Sequence, residues 1–242
     1  MSPERATLLQ ATGIDRTFGG VVALREVDLA IYEGEIVALI GPNGAGKTTF
    51  LNILSCVLHP TRGRVAFRGT SLHDAAPHVV ARLGLTRTFQ NLQLFSGLTA
   101  AENVMVAIET RHSRTASQAE AKAWLERVGL HASPDARADH LSFGERRLLE
   151  LARALATEPR MLLLDEPAAG LGRLEREALG ALLARIRDDG VTVLLVEHDL
   201  ELVFGVADRV VVLDQGQKIA DGRPCDVRVD PRVVSAYLGV AG

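Results

Sequence analysis

Eight residues constrain this chain more than any others: Gly41-Pro42-Asn43-Gly44-Ala45-Gly46-Lys47-Thr48. They fit the pattern of a glycine, four free positions and then Gly-Lys-Ser/Thr, and their flanks supply the context that pattern needs. Ile36 to Ile40 is an unbroken apolar run of the kind that forms a strand buried on both faces. Thr49 to Leu58 carries apolar side chains at helical spacing, so the motif joins a buried strand to a helix. Glycines at 41, 44 and 46 permit a tight turn that aims successive N–H groups at one point, and the helix adds the positive end of its dipole. The product is a nest for phosphate. Lys47 can reach β- and γ-phosphates, the Thr48 hydroxyl is placed to ligate Mg²⁺, and Thr49 can contact phosphate next to it. The plainer alternative is a glycine-rich turn with no ligand, and the flanking strand and helix argue against it.

At 242 residues the chain can build one large α/β domain, or a core with an inserted subdomain. Its 27 Lys and Arg against 30 Asp and Glu leave a net charge of −3, which gives no global attraction to nucleic acid or anionic lipid. Cys56 and Cys225 are far apart and lie in no metal-ligand spacing, so both are expected to be reduced bystanders of a cytosolic protein, Cys56 packed in the helix after the glycine-rich loop. No apolar run approaches a membrane span, and Met1 to Gln10 lacks the charged-then-apolar pattern of a signal peptide. The expectation is a chain that neither crosses a membrane nor is exported by that route.

Leu8 to Asp15 and Val27 to Ile31 read as short strands with a turn over Arg16 to Gly20, an antiparallel start. Phe18 stands in that turn. Its ring could be exposed and stack on a base, or fold into the core. His59 to Gly63 stops the first helix, Arg64 to Gly69 resumes strand character, and Val79 to Leu83 suggests a short helix. From Ser96 to Ala156 the pattern is helical, with Ser117-x-x-Glu120 and Ser142-x-x-Glu145 as capping boxes and Gly129 as a stop. Read locally, Leu141-Ser142-Phe143-Gly144-Glu145 needs no role beyond starting a helix, although a glycine in the first turn also bares N–H groups that could receive phosphate.

Met161 to Leu164 is a second buried strand, ending in Asp165-Glu166-Pro167. A strand that delivers two carboxylates at its carboxyl end, in a chain that already has a phosphate nest, looks like a Walker B motif. Asp165 would then hold Mg²⁺ and Glu166 would polarise the attacking water. Arg173 to Arg187 is an amphipathic helix, and Thr192 to Val196 is a third buried strand ending in Glu197-His198-Asp199. His198 therefore emerges at the same sheet edge as Lys47 and Asp165, where its imidazole could donate to a γ-phosphate oxygen. Asp214-Gln215-Gly216 is a hairpin signal, and residues 224 to 238 make a short helical tail.

With these pieces in order, the chain resembles the ATP-binding subunit of an ABC transporter over nearly its whole length. The ordered set is Phe18 as the adenine-stacking residue, Gly41 to Thr48 as Walker A, Gln90 as the Q-loop, Leu141 to Glu145 as the signature, Met161 to Asp165 as Walker B, Glu166, and His198 as the switch histidine. Within that superfamily the resemblance is to the branched-chain amino-acid importer type. It is carried by Phe18-Gly19-Gly20, Arg87-Thr88-Phe89-Gln90-Asn91 with Leu94-Phe95, Glu166 to Leu171, Val227-Arg228 with Asp230-Pro231, and Ala236 to Gly239.

The resemblance implies an α/β P-loop NTPase core with a mainly parallel sheet, an N-terminal antiparallel β subdomain and an inserted helical subdomain. The core would take residues 1–95 and 157–242 and the helical part about 96–156. It implies ATP and Mg²⁺ as ligands, with Thr48, Gln90 and Asp165 around the metal and Glu166, His198, Gln90 and Lys47 in catalysis. It implies a head-to-tail dimer, homo- or heteromeric, in which Ser142, Phe143, Gly144 and Glu145 of one subunit face the nucleotide of the other. Permease subunits and, indirectly, a solute-binding protein complete the assembly at the cytoplasmic face of the membrane.

Three features depart from the family pattern. Phe143 and Glu145 stand where the signature usually has glycine and glutamine, Gly172 stands where Asp or Asn is usual, and Ile108 to Ala119 is short. A cassette touches no solute, so urea transport or export of a lipid-linked substrate stays open. A soluble ABC-type ATPase on nucleic acid or ribosomes usually has tandem cassettes or coiled-coil insertions, and neither occurs here. A small-molecule P-loop kinase would explain neither the signature nor His198.

Overall fold

The computed structural model describes residues 6–90, 92–112 and 115–238. Asn91 and Gly239, and residues 113 and 114 of the Ile108 to Ala119 segment, lie outside the described residues. Strands β1 (Thr7–Phe18) and β2 (Val21–Tyr32) form an antiparallel hairpin longer than the alternation predicts. The turn narrows to Gly19-Gly20, at φ of 50° and 93°. Two glycines close a two-residue turn without steric cost, so Arg16, Thr17 and Phe18 stay in the ladder opposite Leu24, Val22 and Val21.

All five residues of β3 (Ile36–Ile40) are buried, and helix α1 (Lys47–Leu54) follows the glycine-rich loop. The helix starts two residues before the expected Thr49 and stops four before Leu58. Cys56 swings to a φ of 56°, and the N–H groups of Val57 and Leu58 both turn back to the Asn52 carbonyl, at 2.9 and 3.0 Å. Cys56 is buried as expected but sits past the helix end rather than in it. Strands β4 (Arg62–Phe67) and β5 (Thr70–Ser71) complete a four-stranded antiparallel sheet in the order β2-β1-β4-β5.

Helix α2 (Pro77–Arg82) leads into β6 (Leu85–Arg87), and then come α3 (Ala100–His112), α4 (Gln118–Arg127) and α5 (Phe143–Leu155). Both expected capping boxes open their helices. Ser117 Oγ accepts from Glu120 N at 3.2 Å and Ser142 Oγ from Glu145 N at 3.3 Å, and each glutamate returns the bond to its cap residue's N–H. Strand β7 (Met161–Asp165), helix α6 (Arg173–Asp188), strand β8 (Thr192–Val196), helix α7 (Leu200–Val206) and strand β9 (Arg209–Asp214) continue the alternation. Strand β10 (Gln217–Gly222) folds back across Gln215-Gly216. The tail is two helices rather than one, α8 (Pro224–Val227) and α9 (Pro231–Leu238). Pro231 cannot donate a helical hydrogen bond, so it begins a new helix instead of continuing the old one.

The second sheet runs β10-β9-β3-β8-β7-β6, parallel throughout except for the antiparallel edge strand β10. Because side chains alternate across a strand, each central strand feeds two cores. Val37, Leu39, Leu163 and Leu194 pack with Phe50 of α1 and with Leu9, Ile31 and Phe67 of the antiparallel sheet. Leu162, Leu164 and Leu195 face the other way, onto Leu149, Leu179, Leu183 and the helices of residues 100–155. Each such fully buried aliphatic side chain contributes about 1.5–3 kcal/mol. Burial on both faces fixes the sheet, and so fixes where the carboxyl ends of β3, β7 and β8 emerge, along one edge.

Candidate functional site

The loop from Gly41 to Gly46 leaves β3 at that edge. Gly41 has a φ of 152°, and a β-carbon there would stand 2.1 Å from the Leu213 carbonyl oxygen. Gly46, at φ 99°, would drive one to 2.7 Å from the Ala23 carbonyl oxygen. Neither position admits another residue, because neighbouring backbone leaves no room to yield. The β9–β10 turn braces the loop from outside, with Gly216 N donating to Ala45 O at 3.1 Å. Lys47 is 6% exposed, and its Nζ donates to the carbonyls of Gly41 and Pro42 at 2.7 and 2.9 Å. Burial lowers the pKa of its ammonium, while the carboxylates of Glu166 and Asp165 push it back up. Thr48 is exposed at the first turn of α1, with Thr49 half-buried beside it.

Asp165 closes β7 almost completely buried, and its Oδ2 accepts from Arg87 Nη2 at 2.9 Å. Arg87 is the last residue of β6, and its guanidinium also donates to Asn52 Oδ1 at 2.6 Å and Ser55 Oγ at 2.9 Å. One cation thus ties the second strand's carboxylate to the helix behind the glycine-rich loop. The ring of Phe89 lies 4.9 Å from the guanidinium carbon.

Glu166, one residue on, has a φ of 50°, a left-handed conformation that costs an ordinary side chain about 1–2 kcal/mol. That turn carries its carboxylate between two partners. Oε1 meets His198 Nε2 at 2.8 Å, and Oε2 accepts from Gln90 Nε2 at 3.1 Å. Two residues picked out in sequence from separate segments, Gln90 and His198, therefore converge on the carboxylate of a third. The loop beyond is held by Glu197, a 3% exposed residue whose Oε1 accepts from Ala168 N at 2.7 Å and whose Oε2 accepts from His198 N at 3.0 Å. Burial raises the Glu197 carboxyl pKa, against the pull of those N–H groups.

Ser142, Phe143, Gly144 and Glu145 form a second group, at the start of α5. A β-carbon on Gly144 would stand 2.2 Å from Glu175 Oε1, and the Phe143 ring lies over Gly170. Glu175 Oε2 accepts from Gly172 N at 2.7 Å, so the start of α6 keeps half of a capping box where no side-chain cap exists. The Ser142 N–H holds the Glu145 carboxyl below its usual range. Phe18 projects from the hairpin tip, 43% exposed, with the Arg16 guanidinium 4.4 Å from its ring, which settles the exposed-or-core alternative for the exposed side.

Arg87, Glu197 and the pair Arg147–Glu150 were not singled out in the sequence. Arg147 and Glu150 meet at 3.0 Å inside α5, both almost fully buried. Glu197 stands one residue before His198 at the end of its strand, and no local pattern marks its carboxylate as buried. Arg87 opens the Arg87 to Asn91 stretch, but its partner Asp165 is 78 residues away. No local pattern reveals such a pair.

A glycine-rich loop around a buried lysine, two strand-end carboxylates and a histidine sharing one of them make up a site of the P-loop type. The sequence model of the family described as ABC transporter matches residues 24–169. A second model, branched-chain amino acid ATP-binding cassette transporter, matches residues 217–242. The high-affinity branched-chain amino acid transport ATP-binding protein BraF of Pseudomonas aeruginosa is 42% identical, over 97% of this chain and 98% of that one. Among solved structures, the ADP conformation of MJ1267, an ATP-binding cassette of an ABC transporter, is 30% identical with a TM-score of 0.87, over 97% of this chain and 99% of that one. The dimeric post-hydrolysis cassette MJ0796, bound to ADP and Pi, is 28% identical with a TM-score of 0.81, over 90% and 99%. The chain belongs to the ABC transporter family, as one of its nucleotide-binding, ATP-hydrolysing cassettes. No helix among the described residues is long and apolar enough to cross a membrane.

Proposed function

We propose that this cassette energises a membrane importer of branched-chain or related amino acids, working as a dimer on the cytoplasmic face. The identity to BraF supports the solute class. The observation that carries the catalytic part is the convergence of Gln90, Glu166 and His198 beside the Lys47 loop. The Gly41 to Gly46 amides, Lys47 and Thr49 bind the phosphates, and Phe18 stacks on adenine. Glu166 takes a proton from water as its oxygen attacks the γ-phosphorus, the bond to the β-phosphate oxygen breaks, and His198 donates to the γ-phosphate. Ser142 to Glu145 of the second cassette complete the same site, and residues 96–156 form the subdomain that carries them.

Thr48, Asp165 and Gln90 offer a hydroxyl, a carboxylate and an amide, hard oxygen donors that suit Mg²⁺. No cluster of three or more His, Cys, Asp or Glu that could hold a metal occurs among the described residues. A metal held by Thr48, Asp165 and Gln90 would supply positive charge to neutralise phosphate. Asp165 would take part in that task while its Oδ2 also accepts from Arg87.

Beside the Q-loop a groove of about 410 Å³ is lined by Phe89, Phe95, Arg82, Arg111, Arg153 and Glu150 among others. Its exposed phenylalanines and several arginines suit a permease segment with an apolar anchor and acidic flanks. The test is ATP turnover and ATP binding by Glu166→Gln. Retained binding with turnover lowered by about a hundredfold or more supports the reading, and wild-type turnover removes Glu166 from the chemistry.

A further inference from the structure

Glu166 holds its carboxylate toward His198 only because its backbone is bent into the left-handed region, at φ 50°. Such a conformation relaxes unless its surroundings over-determine it. A turn bond from Ala169 N to Glu166 O at 3.1 Å closes the bend, and two further bonds, one on each side of it, anchor it. Glu166 N donates to Val196 O at 2.9 Å, and Ala168 N donates to Glu197 Oε1 at 2.7 Å. The first is a continuation of the β7–β8 ladder and is available to any sequence. The second depends on one side chain.

That side chain has a second attachment. Glu197 Oε2 accepts from the N–H of His198, the residue that meets Glu166 Oε1 at 2.8 Å. One buried carboxylate therefore fixes the loop after Glu166 with one oxygen and the backbone of Glu166's partner with the other. Both ends of the Glu166–His198 contact are referred to the same rigid group. Nothing in the phosphate loop touches Glu197 through these bonds, so its work is separable from nucleotide binding.

We infer that Glu197 is a positioning residue for hydrolysis, setting the distance and angle between Glu166 and His198 while taking no part in binding ATP. The inference rests on Glu166 being the general base. A misplacement of about 1 Å at a reacting group is worth about a hundredfold in rate, so the effect falls on turnover and not on substrate affinity.

The experiment compares wild type, Glu197→Gln, Glu197→Ala and Glu166→Gln for kcat, KM, ATP affinity without turnover, and thermal midpoint. A glutamine keeps one acceptor oxygen but sets an NH₂ group against an N–H, and an alanine keeps neither bond. The expected order of kcat is wild type, then Gln, then Ala, with the alanine variant down about tenfold or more and KM and ATP affinity within about twofold of wild type. Glu197→Gln gives the answer if the alanine variant does not fold. A kcat per folded molecule within about twofold of wild type in both variants, or kcat and ATP affinity falling together, would overturn the inference. Loss of turnover in Glu166→Gln with full turnover in the Glu197 variants would refute it alone. Full turnover in Glu166→Gln would remove the reading beneath it.

Discussion

The ring of Phe143 packs over Gly170, so closely that a β-carbon on Gly170 would stand 2.9 Å from Cε1. The aromatic at a position where the family usually carries glycine is thus accommodated inside the same chain, by a glycine on the loop after Glu166. The Arg147 guanidinium also lies over the ring, its carbon 5.6 Å from the centroid.

Gly170→Ala is therefore expected to be destabilising twice over. Its φ of 79° strains any β-carbon, and the ring blocks that atom. The combined cost is about 1–3 kcal/mol. In the Phe143→Ala background the steric share disappears and the backbone share remains. Urea unfolding of the four proteins in this cycle measures the difference, and strictly additive effects would show that ring and loop are not coupled.

Removing Arg87 leaves Asp165 buried without its counter-ion, since their side chains are 6% and 4% exposed. Arg87→Met should cost about 3–5 kcal/mol in unfolding free energy. Adding Asp165→Asn to that variant should recover part of the loss, because an amide needs no opposing charge. A double variant less stable than the single one would contradict the pairing.

The start of α7 makes a pH test. Asp199 Oδ1 accepts from Leu202 N at 3.0 Å and Oδ2 from Arg176 Nη1 at 2.6 Å. The Leu202 N–H, and after it Arg176, hold the Asp199 carboxyl below its ordinary value. A depressed folded-state pKa stabilises above the unfolded pKa, and that stabilisation is lost as pH falls through the folded one. Asp199→Ala should cost about 1 kcal/mol near neutral pH, and its unfolding curve should approach that of wild type as acid protonates Asp199. A gap that stays constant down to the acid limit would argue against the cap.

Phe18→Ala should weaken ATP by about threefold to tenfold, the usual worth of a stacked aromatic, and leave inorganic triphosphate unaffected. Equal ATP affinity in the two proteins, by titration calorimetry, would take Phe18 out of the site.

Much of the fold and site was legible because the governing signals are local. Glycine spacing from Gly41 to Lys47, apolar runs at Ile36, Met161 and Thr192, and two Ser-x-x-Glu boxes each act within a few residues. From those runs alone, the common sheet edge of Lys47, Asp165 and His198 follows. Boundaries failed where a left-handed residue intervened. Cys56 ends α1 early, and Gly19-Gly20 shortens the first turn, because turn geometry depends on single dihedrals rather than on periodicity. The partners of Arg87 and Glu197 were invisible for another reason. Their bonds span 78 and 29 residues, and only the register of the parallel sheet brings them together.

The most direct test of a site shared between two cassettes is the solution mass of Glu166→Gln by size exclusion with light scattering, with and without Mg-ATP. A variant that binds ATP without consuming it should pass from monomer to dimer when Mg-ATP is added, and Ser142→Arg in the same background should block that shift. A protein that binds ATP and stays monomeric would contradict a nucleotide held between the Lys47 loop of one copy and the Ser142 helix of another.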